Sequence, residues 1–243
     1  MQNYDFTLDS SLIAQKPLGN RSESKFLIYD TQKDKIFHKH FFNIIDFFKQ
    51  DEFIILNDSE VIPVKIFVDG KNGKIIEFLL VKEIQNNINF VDYIFLTKLS
   101  KIKDRDIFYF KDVKIEFLGW TLNLLNGIFR FHVNREKLIE YLASFGKMPL
   151  SPYIKRYKCS LEMDEFDKNR YQNVYAKALV SIVCPTAGLH FSDEILERLK
   201  NIGVKIKKLT LHVGIGTFKP IKTVNILDHE ILKEKYFISD DLI

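Results

Sequence analysis

A chain of 243 residues with 46% hydrophobic and 14% aromatic side chains can bury the core of one large or two small domains, which excludes a disordered protein. Its 36 Lys and Arg against 32 Asp and Glu leave a formal net charge of +4, scattered along the chain as a solvated surface that favours a polyanionic partner only if another feature points to nucleic acid. No apolar stretch approaches the roughly 20 residues of a bilayer span. The opening residues 1–7 also lack a basic and apolar leader, and the two cysteines, Cys159 and Cys184, have neither metal-ligand spacing nor a framework of bridges; a cytoplasmic protein with free thiols is expected.

In chain order, residues 41–49 read as a Phe- and Ile-rich helical patch and 51–56 as a strand that ends in Asn57-Asp58-Ser59. From Val64 the pattern changes to short strands separated by turn residues, at 74–81, 90–97, 107–110, 113–118 and 128–133, the spacing of a small all-β barrel. A helix is expected at 135–144, stopped by Gly146, and Pro149 and Pro152 then impose an extended connector. The run 179–184 reads as a buried strand closed by Pro185. Ser192 follows as the N-cap of a helix with Asp193 and Glu194 in its first turn, an apolar stripe of Ile195, Leu196 and Leu199, and a stop at Gly203. Residues 204–213 form a second strand that runs into Gly214-Ile-Gly216, and 235–238 a last one before a helix start at Ser239. The fold class is α/β: a mixed-sheet domain of residues 1–63 and 147–243, interrupted by an inserted all-β, barrel-like domain at 64–146. The strand, helix and strand from 179 to 213 read as a βαβ unit whose right-handed crossover makes its strands parallel and carries both following loops to one carboxyl edge, where open α/β sheets bind ligands.

Those loops hold the two most informative blocks, Cys184-Pro-Thr-Ala-Gly-Leu-His-Phe191 and Thr210-Leu-His-Val-Gly-Ile-Gly-Thr-Phe218. Gly188, Gly214 and Gly216 let a ligand approach the backbone, with amides and the hydroxyls of Thr186 and Thr217 as donors, although two tight turns need the same residues. His190 and His212 are candidate general acid or base groups, since imidazole titrates near neutrality; each alone also fits a packing histidine. Their meeting at one sheet edge points to a shared site, without fixing which is acid and which is base. A metal-dependent hydrolase built on His190, His212, Asp228 and His229 lacks any HExxH-type spacing, and His38 and His40 read as surface residues. No metal is expected.

Six separated motifs, in order, then resemble one family: Leu12-Ile-Ala-Gln15 with Pro17 and Arg21; Leu56-Asn-Asp58 with Val61-Ile-Pro63; Met148-Pro-Leu150 with Pro152-Tyr-Ile-Lys-Arg156; Tyr171-Gln172 with Val174-Tyr-Ala176; 185–191; and 210–218. The family is the S-adenosylmethionine:tRNA ribosyltransferase-isomerases of queuosine biosynthesis, and its α/β domain with an inserted barrel agrees with the patterning. The resemblance implies a transferase that uses S-adenosylmethionine as ribosyl donor and needs no metal. Its partner is tRNA carrying 7-aminomethyl-7-deazaguanine at the wobble position; the product is epoxyqueuosine, and adenine and methionine are released. It implies proton transfers by His190 and His212. Pro185, Thr186, Ala187 and Gly188, with Gly214, Gly216, Thr217 and Phe218, would hold the nucleoside or the methionine carboxylate. Lys155, Arg156 and Arg170 contact tRNA phosphates or form a solvated surface, and Tyr171 and Gln172 either read a flipped base or pack under the loops. A monomer without membrane association is expected.

The chain departs from the family pattern at Glu60, where members carry Arg, and at Leu232, where a second His follows Asp228-His229; Glu234 is kept. Members also continue past Ile243 with Val-Gly-Thr-Thr and Asn-Phe-His-Leu-Pro motifs. The resemblance therefore implies a C-terminally truncated copy, inactive and poorly soluble by itself. The alternative function is an inactive remnant that retains only RNA binding.

Overall fold

The structure, a computed structural model, describes residues 6–70, 73–97, 102–103, 105–121, 126–156, 161–218, 221, 223–229 and 231–242, without the side chains of 218 and 241. Cys159 lies outside the described residues. The chain divides into two compact units, Met1–Val61 with Leu150–Ile243, and Ile62–Pro149.

The first unit begins with an antiparallel hairpin of β1 (Lys25–Asp30) and β2 (Lys35–His40). The helical patch that follows is a 3-10 helix, Phe41–Phe47. Its apolar side chains recur at Phe41, Ile44, Ile45 and Phe48, all on the core cluster, a spacing that the three-residue turn serves as well as an α-helix over so short a run. The chain then forms β3 (Phe53–Asn57) and β4 (Ser59–Val61), separated by Asp58 alone.

The second unit is a closed antiparallel barrel of β5 (Lys65–Asp69), β6 (Ile75–Asn86), β7 (Val91–Thr97), β8 (Ile107–Phe110), β9 (Val113–Trp120) and β10 (Asn126–Phe131), in the order β10-β7-β6-β5-β8-β9. Alternate residues point inward, so the interior fills with Phe78, Phe95, Phe117 and Phe129, whose ring centroids lie 4.7 to 5.4 Å apart. Closure removes the strand edges that would otherwise pair with another chain. Helix α1 (Arg135–Phe145) starts at Asn134, whose side chain accepts from the Lys137 amide at 2.9 Å, and stops at Gly146, where a Cβ would collide with the Pro63 carbonyl.

In the barrel wall the Asp92 carboxylate, 3% exposed, takes a two-pronged hydrogen bond from Arg130 at 2.8 Å on each oxygen and a third from Gln85 at 2.8 Å. Arg130 also lies 3.6 Å from the Phe90 ring centroid. Burial pushes the Asp92 acid up, but the hydrogen bonds from Arg130 and Gln85 outweigh it and hold it below its ordinary value. A carboxyl lowered on folding stabilises above its unfolded pKa, and that stability is lost as pH falls through the folded one. The stability difference between the protein and Asp92→Asn is therefore expected to stay constant from neutrality to about pH 4 and to shrink below it. Urea denaturation across pH measures this, and a difference that already fades near about pH 6 would contradict the assignment.

The first unit resumes with α2 (Leu161–Arg170), β11 (Ala178–Ser181), α3 (Asp193–Asn201), β12 (Lys205–Leu211) and β13 (Tyr236–Phe237). Helix α3 has its expected ends. The Ser192 hydroxyl accepts from the Ile195 amide at 3.4 Å, and Gly203 follows the last turn at φ 88°, a left-handed conformation that favours glycine. Its apolar face, Ile195, Leu196 and Leu199, joins Phe41, Leu56, Tyr175, Phe191 and Val204 in the core. The expected βαβ pair needs correction, because β11 and β12 form no ladder with each other. Strand β12 runs parallel to β3 and is flanked by β13, whereas β11 runs parallel to β4. The cause is a switch of partner at Asp58, whose amide donates to the Leu209 carbonyl at 2.9 Å while its carbonyl accepts from Lys177 and Ala178 at 2.8 and 3.2 Å. Both strands still run parallel to the 53–61 segment, and β11 ends at Ser181, three residues before the expected end at Cys184. The helix expected after Ser239 is a short 3-10 turn, Asp240–Leu242.

Candidate functional site

Side chains of Asn57, Asp58, Ser59 and Ser181 clamp the ends of β11 and β12. The Asn57 amide extends the ladder of β3, donating to the Leu211 carbonyl at 3.0 Å and accepting from the Leu211 amide at 2.9 Å. Asp58 accepts from the Thr210 hydroxyl at 2.7 Å. Ser59 and Ser181, both fully buried, share a hydroxyl contact of 2.7 Å, and the Ser181 oxygen accepts from the Val213 amide at 3.0 Å. The Val213 carbonyl in turn accepts from the amides of Ile182 and Val183 at 3.0 and 3.1 Å. So the roots of the two His-bearing blocks are joined, by a route that the strand pairing expected from sequence did not contain.

A second node follows α2. Three successive residues there hold two other segments, the start of the first block and Val61. The Tyr171 hydroxyl accepts from the Cys184 amide at 3.5 Å; the Gln172 side chain accepts from the Val61 amide at 2.9 Å and donates to the Val61 carbonyl at 3.2 Å; the Asn173 amide donates to the Pro185 carbonyl at 3.2 Å. Tyr171 thus bonds the first residue of the first block, Cys184, and Gln172 bonds Val61. Burial raises the Tyr171 and Tyr175 phenols to about 12 and the Cys184 thiol to about 12, so none of the three ionises near neutrality.

On this base the first block makes a 3-10 turn, Thr186–His190, with the Gly188 amide donating to the Pro185 carbonyl at 3.0 Å. Gly188 is needed for packing: a Cβ there would collide with the Tyr175 hydroxyl and lie 2.6 Å from Asn173 Nδ2. Thr186 and Ala187 are exposed at the tip and Pro185 is half-buried. The His190 ring is half-buried against Phe41, 5.3 Å between centroids. In the second block the half-buried His212 donates its backbone amide to the Lys235 carbonyl at 2.9 Å, and the Gly214 amide donates to Glu234 Oε1 at 2.7 Å. Ile215–Phe218 is a 3-10 turn with Thr217 exposed; the Phe218 side chain lies outside the described set. A Cβ at Gly214 or Gly216 would make only ordinary contacts, with Glu234 at 3.7 Å or Leu232 at 3.4 Å. Among the described residues packing demands glycine at 188 and at neither of these two. Among the described residues neither imidazole has a hydrogen-bond partner, and no three His, Cys, Asp or Glu side chains are grouped to hold a metal.

The basic candidates divide. Arg156 makes a two-pronged ion pair with the buried Asp167, 2.8 Å on each oxygen, and donates to the Gln15 carbonyl at 2.9 Å. Arg170 donates to the carbonyls of Leu18 and Gly19 at 2.6 and 3.3 Å. Both guanidinium groups tie the unit together, while the Lys155 side chain is exposed and its backbone amide donates to Gln15 Oε1 at 2.7 Å. Sequence reasoning did not assign roles to Asn57, Asp58, Asn173 or Arg21. The available signal was a polar triplet, Asn57-Asp58-Ser59, at a strand end.

No helix among the described residues is long and apolar enough to cross a membrane. Residues 1–243 match the family described as queuosine biosynthesis protein. The chain is 39% identical over 245 residues to S-adenosylmethionine:tRNA ribosyltransferase-isomerase of Legionella pneumophila strain Paris, covering 99% of this chain and 68% of that protein. To the protein of the same name in Staphylococcus saprophyticus it is 42% identical over 240 residues, covering 97% and 67%. A crystal structure of S-adenosylmethionine tRNA ribosyltransferase from Thermotoga maritima is similar at 23% identity and a TM-score of 0.34, over 86% of this chain and 58% of that one. The chain spans 68% of the length of the first of these relatives.

Proposed function

The chain belongs to the queuosine biosynthesis protein family, and on that premise we propose that it acts as an S-adenosylmethionine:tRNA ribosyltransferase-isomerase. S-adenosylmethionine is the ribosyl donor, and the aminomethyl group of 7-aminomethyl-7-deazaguanine at the tRNA wobble position is the acceptor. Adenine and methionine leave, and epoxyqueuosine remains in the tRNA. The protein works as a cytoplasmic monomer and needs no metal. The observation that carries this reading is the join at Val213, which sets two His-bearing blocks side by side in a chain that matches the family throughout.

The chemistry sets three demands on those blocks. The sulfonium acidifies the adjacent C5′ position, so a base must take a proton there; adenine departs more readily when protonated; and the attacking amine must be neutral. His190 and His212 are the groups for these transfers, both residues being half-buried with no side-chain hydrogen bond among the described residues. Gly214 and Gly216, where a Cβ would make only ordinary contacts among the described residues, let the nucleoside or the methionine end approach the backbone, together with 185–188 and Thr217. Glu234, on the Gly214 amide, sets a carboxylate beside this loop as counter-charge to a sulfonium or ammonium group. Lys155 meets tRNA phosphate.

Incubating the purified protein with S-adenosylmethionine and tRNA bearing the aminomethyl base, and following adenine by liquid chromatography, tests the proposal. Adenine is expected only with that tRNA, and its release by residues 1–243 alone would overturn the inactivity expected of a truncated copy. Equal release with unmodified tRNA counts against ribosyl transfer to the base. Binding of tRNA without any release would favour the remnant that only binds RNA.

A further inference from the structure

Arg21 belongs to the first motif of the chain, and no step of the proposed reaction uses it. It opens a 3-10 turn, Arg21–Glu23, held by the Asn20 side chain, which accepts from the Ser22 amide at 3.2 Å. From there its guanidinium reaches four backbone carbonyls more than a hundred residues away. Nη1 donates to Gln172 at 2.7 Å and to Arg170 and Leu189 at 3.4 Å, and Nη2 donates to Asn169 at 2.8 Å. These acceptors belong to three features: the last turn of α2, the node whose side chains hold Val61, Cys184 and Pro185, and the loop residue next to His190.

The residue type matches the task. The last carbonyls of a helix have no partner within it, and a positive charge suits that end. A planar guanidinium offers five donors in a fixed fork, so it can bond several carbonyls at once; an ammonium on a flexible stem cannot span the same positions. Burial, and then the charge of Arg170, lower the Arg21 pKa from its ordinary value, yet an arginine remains charged at neutral pH. No hydrogen bond joins Arg21 to a carboxylate among the described residues.

We propose that Arg21 is a positioning residue that sets the His190 loop against the Tyr171–Asn173 node. The consequence for catalysis rests on the proposed function, because Leu189 and His190 are neighbours and a displacement of one carries the other. Misplacing a reacting group by about an ångström can cost on the order of 10²-fold in rate.

Arg21→Lys and Arg21→Ala test this with two independent readouts. In Arg21→Lys, amide hydrogen exchange is expected to accelerate at Gly188 and Phe191, whose amides donate to the Pro185 and Gly188 carbonyls, and to stay unchanged in β12. Adenine release is expected to lose about 10²-fold in kcat, with KM for tRNA and S-adenosylmethionine within about twofold of the starting protein. Added guanidinium ion should restore part of the rate of Arg21→Ala. Exchange that is unchanged, or faster throughout the unit, overturns the placement, and an unaltered kcat with only a lower melting temperature overturns the catalytic consequence. If Arg21→Ala fails to fold, the lysine variant carries the test. If the unsubstituted protein releases no adenine, the proposed function fails, and the exchange result still decides whether Arg21 positions the loop.

Discussion

Replacing His212 by alanine is expected to lower the rate of adenine release by about 10²–10⁴-fold, the contribution of a positioned proton-transfer group, with little change in melting temperature. His212 sits after β12, held through its backbone amide, and its ring packs in no aromatic pair among the described residues. His190→Ala is expected to show the same loss of rate together with a loss of stability. Its ring lies on Phe41, a member of the core cluster, and such ring contacts are worth about 0.5–1.5 kcal/mol. Single-turnover kinetics beside thermal melting by circular dichroism separates the two effects. Unchanged rates in both variants, with a lower melting temperature in His190→Ala, would make these packing histidines. The limb of the pH–rate profile that each variant abolishes identifies which is acid and which is base.

Arg156→Ala is expected to destabilise the protein by about 3–5 kcal/mol, because it strips the partner from a carboxylate held out of water. Arg156 and Asp167 side chains are 17% and 11% exposed, and their two bonds are both 2.8 Å. Arg156→Lys should recover only part of the loss, since an ammonium cannot reproduce the paired geometry. Lys155 provides the contrast. Lys155→Gln is expected to leave the urea midpoint in place and to reduce the salt slope of tRNA binding by about one. An unchanged midpoint for Arg156→Ala, with a shallower salt slope, would make Arg156 a phosphate contact and not a structural ion pair.

The barrel was legible in the sequence because side chains that alternate in and out leave a period of two, and Asp, Gly and Asn mark the turns between strands. Helix α3 was legible for a similar reason: its cap, its stripe and its glycine stop all act within a dozen residues. The segment 41–47 was legible only as helical, since its apolar spacing suits both a 3-10 and an α turn. The glycines of the two blocks looked alike in the sequence. Gly188 proved to be a packing glycine under Tyr175, and Gly214 and Gly216 did not, a distinction that depends on what lies above each backbone.

The sequence by itself determined the α/β class, the inserted barrel, the two His-bearing blocks and the family, because local periodicity, turn chemistry and ordered motifs carry that information. Tertiary structure alone decided which strands pair and what the polar residues hold. Asp58 switches the 53–61 segment from β12 to β11, Gln172 bonds Val61 across 111 positions of sequence, and Arg21 reaches carbonyls 148 to 168 positions away. A hydrogen-bond donor on a polar side chain has the same chemistry whether its acceptor is a phosphate, a base or a distant carbonyl, and only the folded backbone supplies the acceptor.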